Sequence, residues 1–188
     1  MDEDYNLSLM NTKQIYKILS SDETVKNKNF LGVFPSDKVP TDKLQFPCSA
    51  VINNQPHDEK GEHWVAFFIS EDRKGYYFDS FGFAPYNMQG VAEALDICDE
   101  WTFNDTQLQS YMSTVCGEYT IFFITHIARG FTMAHITYLL NDAGDTMAND
   151  SLVLNYIKEK YKNIIDTSDF EIMNLPFIFM QASHALSM

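Results

Sequence analysis

Residues 63–83 read HWVAFFISEDRKGYYFDSFGF, and this stretch decides the fold. An apolar and aromatic run, His63–Ile69, has the length of a strand, and a polar turn separates it from a second aromatic run, Tyr76–Asp79. This pattern predicts a buried antiparallel hairpin. In such a hairpin the start of one strand lies beside the end of the next, so His63 and Asp79 can face each other.

A second long apolar segment begins at Cys116 and runs to Arg129, where Gly130 follows it. A run of this length with a terminal glycine predicts a buried helix. The dipole and the free amide groups of a helix N-terminus stabilise a thiolate, so Cys116 is a candidate nucleophile. Gly117 would leave room for a substrate to approach the backbone. The alternative at this point is a buried structural cysteine.

A cysteine nucleophile needs a base within hydrogen-bond reach. His126 lies too far along the same predicted helix, whereas His63 opens the hairpin and could be oriented by Asp79. His135 remains a second candidate base without an evident partner, and His63 with Asp79 could instead form a polar pair at a sheet edge. Gln109, seven residues before the cysteine, could donate a hydrogen bond to a developing oxyanion.

The rest of the sequence predicts further elements around these two segments, in one domain over residues 1–188, because no linker divides the chain. The predicted elements are a helix over 11–20, a loop over 30–46, a strand over 49–53, a helix over 87–100, an edge strand over 101–103 and a helix over 149–161. An apolar tail begins at Pro176, and the pattern assigns it no role.

The charge balance and the cysteine count exclude several classes of partner and site. The chain has 13 Lys and Arg against 26 Asp and Glu, a formal net charge of -13 at pH 7. Nucleic-acid backbones and anionic membrane faces are bound by clusters of Lys and Arg, so neither is expected as a direct partner. Cys48, Cys98 and Cys116 fit neither a disulfide framework nor a zinc site, which predicts a reducing compartment.

Taken in order, the residues His63-Trp64, Asp79, Gln109 and Cys116-Gly117 resemble the motifs of the adenain-like cysteine proteases. These are the maturation proteases of adenoviruses and of related elements such as Polinton transposons and virophages. They share a wider clan with the SUMO and ubiquitin-like deconjugating proteases. The likeness covers about Phe30 to Arg129. Further similar segments, in the same order, are FLGVF from Phe30, CSAVIN from Cys48, GEHWVAF from Gly61, YFDSFGF from Tyr77 and VCG from Val115.

The resemblance implies a single-domain α+β fold with a papain-like active site. A mixed central sheet packed against helices would carry the histidine and the acid, and the cysteine would lie at the N-terminus of the central helix. Trp64 and Gly117 are expected to line the substrate cleft, and no metal is involved. The residues that the resemblance implies to be catalytic are His63, Asp79, Gln109 and Cys116.

Three features depart from adenain. Asp79 stands where adenain carries a Glu, although the deconjugating relatives use Asp. Glu118 follows Cys116-Gly117 where adenain is apolar, and its charge would raise the pKa of the thiol unless the side chain points away. Adenain is basic and uses DNA and a disulfide-linked peptide as cofactors, whereas this chain is acidic. We therefore expect no direct activation by DNA, while Cys98, near adenain's peptide-linking cysteine, leaves a peptide activator open.

The sequence therefore predicts a viral or virus-like maturation cysteine endopeptidase. Its substrates would be capsid or core precursor proteins, and it would act in the virion and in the cytoplasm or nucleus of the host cell. One alternative is a deconjugase that removes ubiquitin-like modifiers. Another is an inactive relative that serves as a virion interaction protein, although the presence of all four catalytic residue types counts against it.

Overall fold

Five strands form one mixed sheet in the computed structural model, which describes residues 10–141 and 144–165. The inner strand pairs are antiparallel and both edge pairs are parallel. This arrangement confirms the predicted α+β fold, the predicted hairpin and the predicted edge strand. In spatial order the strands are β1 (Phe30–Pro35), β2 (Cys48–Asn53), β3 (Trp64–Ile69), β4 (Lys74–Phe78) and β5 (Glu100–Phe103).

Six α-helices lie within the described residues, and four of them match predicted helices. They are α1 (Thr12–Ser21), α2 (Glu23–Asn27), α3 (Gln89–Asp96), α4 (Cys116–Ile127), α5 (Met133–Asn141) and α6 (Thr146–Tyr161). Helix α1 begins where its sequence indicates, because Asn11 Oδ1 accepts hydrogen bonds from the amides of Lys13 and Gln14. Helix α4 is buried along almost its whole length, as its uninterrupted apolar sequence predicts.

The prediction of a loop over residues 30–46 is wrong in its first part, because Phe30–Pro35 forms the edge strand β1. Gly32 and Pro35 indicated a loop. Gly32 instead has a φ of +131° at a break in the register between β1 and β2, a conformation that favours glycine. Pro35 ends the strand at the sheet edge, where a missing amide hydrogen is tolerated.

The central strand β3 is buried on both of its faces. Alternate residues face a core built with α1, α4, α5 and α6 or a second core built with α3. Burial on both faces explains why the run is continuously apolar and does not alternate with polar residues. The residues on the first face are Trp64, Ala66 and Phe68, and those on the second are Val65, Phe67 and Ile69.

Helix α4 is fixed against the hairpin by aromatic stacking. The rings of Phe78 on β4 and Phe123 on α4 lie 4.8 Å apart, with 8° between their planes. Helix α4 packs on one face of the hairpin. Its first residue, Cys116, lies near His63, so α4 starts at the open end of the hairpin. The prediction of the nucleophile candidate at the N-terminus of a central helix is confirmed, because Cys116 is the first residue of α4.

Two further predictions concern the chain as a whole. The single domain over residues 1–188 stays a prediction, and the apolar tail from Pro176 lies outside the described residues. Within the described ranges no helix is both long enough and apolar enough to cross a membrane.

Asp22 joins three helices through one buried carboxylate. Its Oδ1 accepts from the amides of Thr24 and Val25 and so caps α2. Its Oδ2 accepts from Arg129 Nη2 at 2.7 Å, just after α4, and from the hydroxyl of Tyr161 at 2.9 Å, at the end of α6. Burial alone would raise the pKa of Asp22, but the hydrogen bonds from Arg129 and Tyr161 outweigh burial and lower the pKa to about 2.

We predict that Asp22→Asn lowers the free energy of unfolding by about 2 kcal/mol near neutral pH, because asparagine keeps the cap but loses the charge that binds Arg129. The folded-state pKa lies below the ordinary value of 3.8. The stabilisation is therefore present above about pH 4 and is lost as the pH falls towards about 2. Urea unfolding of both proteins across this range measures the difference. A difference that stays constant down to the acid limit would contradict the prediction.

Candidate active site

The two ends of the hairpin bring His63 and Asp79 together. His63 directly precedes β3 and Asp79 directly follows β4. His63 Nε2 lies 2.9 Å from Asp79 Oδ1, and the amide of Phe81 donates to the same oxygen at 2.8 Å. With Nε2 occupied by the carboxylate, Nδ1 is the ring nitrogen left for another partner.

Cys116 is the first residue of α4, and its side chain lies close enough to His63 to raise the pKa of the imidazole. The residue is buried, with 2% of its surface exposed. The N-cap residue, Val115, makes no side-chain hydrogen bond to the first turn, so the free amide groups of that turn remain available to an anion. A thiolate here would face both an imidazole and the positive end of a helix dipole.

The surroundings of His63 favour its protonated form. Burial by itself would lower the pKa of His63. The hydrogen bond to Asp79 and the interaction with Cys116, together with the charges of these two groups, outweigh burial and raise the pKa to about 9. The ring of Phe81 stacks on the imidazole at 5.0 Å with 29° between the planes, a contact that also favours a cation. The site therefore favours an imidazolium at His63 when Cys116 carries a negative charge.

Two asparagines hold the backbone of the histidine and of the acid. Asn54 donates its backbone amide to His63 O at 2.9 Å and accepts from the amide of His63 at 3.0 Å through its Oδ1. Asn104 accepts from the amide of Asp79 at 3.0 Å and donates through Nδ2 to Asp79 O at 2.6 Å. Asparagines in loops carry no distinguishing sequence pattern, so neither could be singled out before the fold was known.

Gln109 is buried, and both ends of its amide group are engaged. Its Oε1 accepts from Ser80 Oγ at 2.6 Å, and Ser80 O accepts from the backbone amides of Leu108 and Gln109. Its Nε2 lies 3.0 Å from Ser113 O and 3.2 Å from Ser113 Oγ. An oxyanion beside this amide would compete with Ser113 Oγ for the Nε2 hydrogens, because the contact with Ser113 Oγ is the longer of the two.

Helix α6 holds the loop that carries Gln109 through hydrogen bonds to its backbone. Asn149 Nδ2 donates to Leu108 O at 2.9 Å, and Asp150 Oδ1 accepts from the amide of Ser110 at 3.4 Å. The hydroxyl of Tyr119 on α4 lies 2.9 Å from both Leu108 O and Asp150 Oδ1. The backbone is thus held on either side of Gln109 by a helix outside the region of the adenain resemblance.

Glu118 is the third residue of α4 and is buried, with 2% of its surface exposed. Its Oε2 has no hydrogen-bond partner among the described residues. Burial, opposed by a backbone hydrogen bond and reinforced by the charge of Asp150, raises the pKa of Glu118 to about 7. The carboxyl is therefore largely neutral below that pH, and its expected effect on the neighbouring thiol is correspondingly reduced.

Trp64 and Gly117 are packed closely under the site. Trp64 Nε1 donates to Met10 O at 2.9 Å. A Cβ added at Gly117 would lie 3.0 Å from Met10 Cβ and 3.4 Å from Trp64 Cδ1, so glycine permits the contact between this segment and α4. The expected roles of Trp64 and Gly117 in substrate binding stay predictions.

The position of His135 separates it from Cys116. His135 lies on α5, beyond the far end of α4, where its ring contacts Phe131 at 4.9 Å. The structure thus brings Cys116 together with His63 and leaves His135 apart. In the part of the chain that the structure describes, no three His, Cys, Asp or Glu side chains are arranged to hold a metal ion.

Comparisons with known proteins give resemblances of fold only. No protein-family model and no curated protein matches the chain. The ASFV pS273R protease is similar with 19% identity and a TM-score of 0.44, over 72% of this chain and 64% of that chain, so the match spans less than two thirds of that protein. ChlaDub1 from Chlamydia trachomatis is similar with 13% identity and a TM-score of 0.47, over 88% and 80% of the two chains. The central domain of the uncharacterized Lpg1148 protein from Legionella pneumophila is similar with 14% identity and a TM-score of 0.40, over 72% and 88%.

The buried carboxyl of Glu118 predicts a pH dependence of stability. Its folded pKa of about 7 lies above the ordinary 4.5. The folded state then binds more protons than the unfolded state between these values, and stability falls as the pH rises from about 4.5 through about 7. We predict that Glu118→Gln removes up to roughly 3 kcal/mol of this fall.

Urea unfolding between about pH 5 and about pH 8 measures the slope, which is independent of any constant cost of burying the new amide. The matched control is Glu159→Gln on α6, because Glu159 is exposed. An unchanged slope in Glu118→Gln would show that Glu118 is ionised in the folded protein throughout this range.

Proposed function

We propose that this chain is a cysteine endopeptidase that hydrolyses peptide bonds of protein substrates, with Cys116 as nucleophile and His63 as general base. The observation that carries the proposal is the juxtaposition of Asp79, His63 and Cys116: Asp79 is hydrogen-bonded to His63, and Cys116 lies near the same imidazole at the first residue of a buried helix. The combination of a base, an orienting carboxylate and a helix dipole at one thiol is what nucleophilic catalysis requires.

In the proposed reaction the Cys116 thiol gives its proton to Nδ1 of His63, which forms a thiolate and an imidazolium. The thiolate attacks the peptide carbonyl carbon, and a tetrahedral intermediate forms with its negative charge on oxygen. His63 then protonates the amine as it leaves, and water hydrolyses the resulting thioester. Asp79 keeps the ring in position and favours its charged form throughout.

The backbone amide of Cys116 and the side-chain amide of Gln109 are proposed to hold the oxyanion. Helix N-terminal amides are suited to this task because they have no partner within the helix. Gln109 is supported for this role by its fixed position between Ser80 and Ser113. In the transition state its amide would exchange the 3.2 Å contact with Ser113 Oγ for the more strongly charged oxyanion.

We propose a viral or virus-like maturation protease as the biological context, with capsid or core precursors as substrates, on the basis of the ordered adenain-like motifs. The proposed place of action is the virion and the reducing compartments of the host cell. We further propose that the enzyme needs no metal, because the thiolate is itself the nucleophile, and no direct binding of DNA, because 26 acidic residues face 13 basic ones. A peptide activator is compatible with the proposal.

A deconjugase of ubiquitin-like modifiers is the second candidate. The observation that favours it is the identity of the acid, because Asp79 matches the aspartate of the deconjugating relatives and not the glutamate of adenain. Both candidates share the same chemistry at Cys116. They differ in the bond cleaved, which is an internal peptide bond of a precursor in one case and the bond after the C-terminal residue of a modifier in the other.

The proposal is tested by co-expressing the chain with candidate capsid precursors, or with precursors of ubiquitin-like modifiers, and reading new protein termini by mass spectrometry. We expect new termini with the wild type and none with Cys116→Ala, because the thiolate is the nucleophile. The matched control is Cys48→Ala, which removes a thiol opposite Ile69, at the other end of β3 from His63, and should retain cleavage. The same termini appearing with Cys116→Ala would refute the proposal.

A further inference from the structure

Two loops beside the Cys116–His63 pair expose large apolar side chains. Phe83 is 56% exposed, Tyr111 is 66% exposed and Met112 is 86% exposed. Phe81, on the same loop as Phe83, is partly buried. Exposed aromatic side chains that form one continuous surface mark binding sites more often than isolated ones do.

The exposed rings continue directly from the catalytic imidazole. Phe81 lies 5.0 Å from the ring of His63, and Tyr111 stacks on Phe81 at 5.4 Å with 18° between the planes. Phe83 lies 6.4 Å from Phe81. We name the surface formed by Phe81, Phe83 and Tyr111 the aromatic wall. It leads from His63 out to solvent.

The backbone that carries the aromatic wall is held in place before any substrate binds. The amide of Phe81 donates to Asp79 Oδ1 at 2.8 Å. Between Phe81 and Phe83, Gly82 has a φ of +77°, and a Cβ there would lie 2.7 Å from the backbone of Thr106, so the turn is tightly packed. An ordered aromatic surface loses little conformational entropy on binding, which favours its use as a recognition site.

The distance to the reacting atoms identifies what the aromatic wall contacts. A carbonyl attacked by Cys116 must lie within reach of His63, and an extended chain advances only about 3.5 Å per residue. A peptide that leaves the site along the aromatic wall would carry its first two residues on one side of the scissile bond past Phe81, 5.0 Å from the imidazole, and Tyr111, 5.4 Å from Phe81. The occupant is thus a segment of the substrate itself.

We propose that the aromatic wall selects substrates that carry an apolar or aromatic side chain within two residues of the cleaved bond. This inference rests on the proposed function, because it requires Cys116 to attack a peptide. Phe81 also contacts His63, so its replacement would disturb the base. Within the aromatic wall, Tyr111 stacks on Phe81. Replacement of Tyr111 therefore tests whether the aromatic wall selects substrates.

The test is cleavage of a proteome-derived peptide library by the full chain, with the residues that flank each cleaved bond read by mass spectrometry. We expect enrichment of Phe, Tyr, Leu, Ile or Met within two residues of the bond. In Tyr111→Ser the enrichment should weaken. kcat/KM for a peptide with the preferred residue should fall about tenfold, mainly through KM, and should change less than about twofold when that residue is serine.

The matched control is Tyr138→Ser, which removes a tyrosine of 62% exposure on α5 and should keep the wild-type preference. Cleavage without an apolar preference, or a preference that Tyr111→Ser leaves intact, would overturn the inference and leave the proposed function standing. Failure of the wild type to cleave any peptide would overturn both. A dimer of the wild type that Tyr111→Ser dissociates would assign the aromatic wall to a second copy of the chain and overturn the inference.

Discussion

Burial of β3 on both faces is the constraint on which the site depends. A strand that packs apolar side chains on both sides needs a layer of helix on each, and α4 supplies one of these layers through the stacking of Phe78 on Phe123. This packing sets the start of α4 against the end of the hairpin. His63, Asp79 and Cys116 therefore meet because three secondary-structure ends converge, and no long loop is needed to bring them together.

Some polar groups near His63, Asp79 and Cys116 have all their hydrogen-bond partners, and others do not. The backbones of the histidine and the acid are each held twice, by Asn54 and by Asn104, so their geometry is fixed before a substrate arrives. Glu118 is the opposite case, since its buried Oε2 lacks a partner among the described residues. A buried carboxyl without a full set of hydrogen bonds costs stability, and here that cost lies in the first turn of the helix that bears Cys116.

The sequence predicted the parts of the fold that follow from local pattern, and missed those that follow from distant contacts. The hairpin and α4 were predictable because long apolar runs have few ways to be buried. Strand β1 was missed because Gly32 and Pro35 are loop residues that an edge strand can also accommodate. The support of the Gln109 loop by α6 could not be predicted, because it joins residues about forty positions apart that belong to no recurring motif.

The central claim is that Cys116 and His63 form a thiolate–imidazolium pair, and the pH dependence of Cys116 alkylation tests it most directly. Modification by iodoacetamide is followed by peptide mass spectrometry from about pH 5 to about pH 10, in the wild type and in His63→Ala. We expect modification of wild-type Cys116 to be much faster than that of His63→Ala at about pH 6, because the imidazolium stabilises the thiolate. Identical rates of modification in the two proteins at every pH would contradict the thiolate–imidazolium pair.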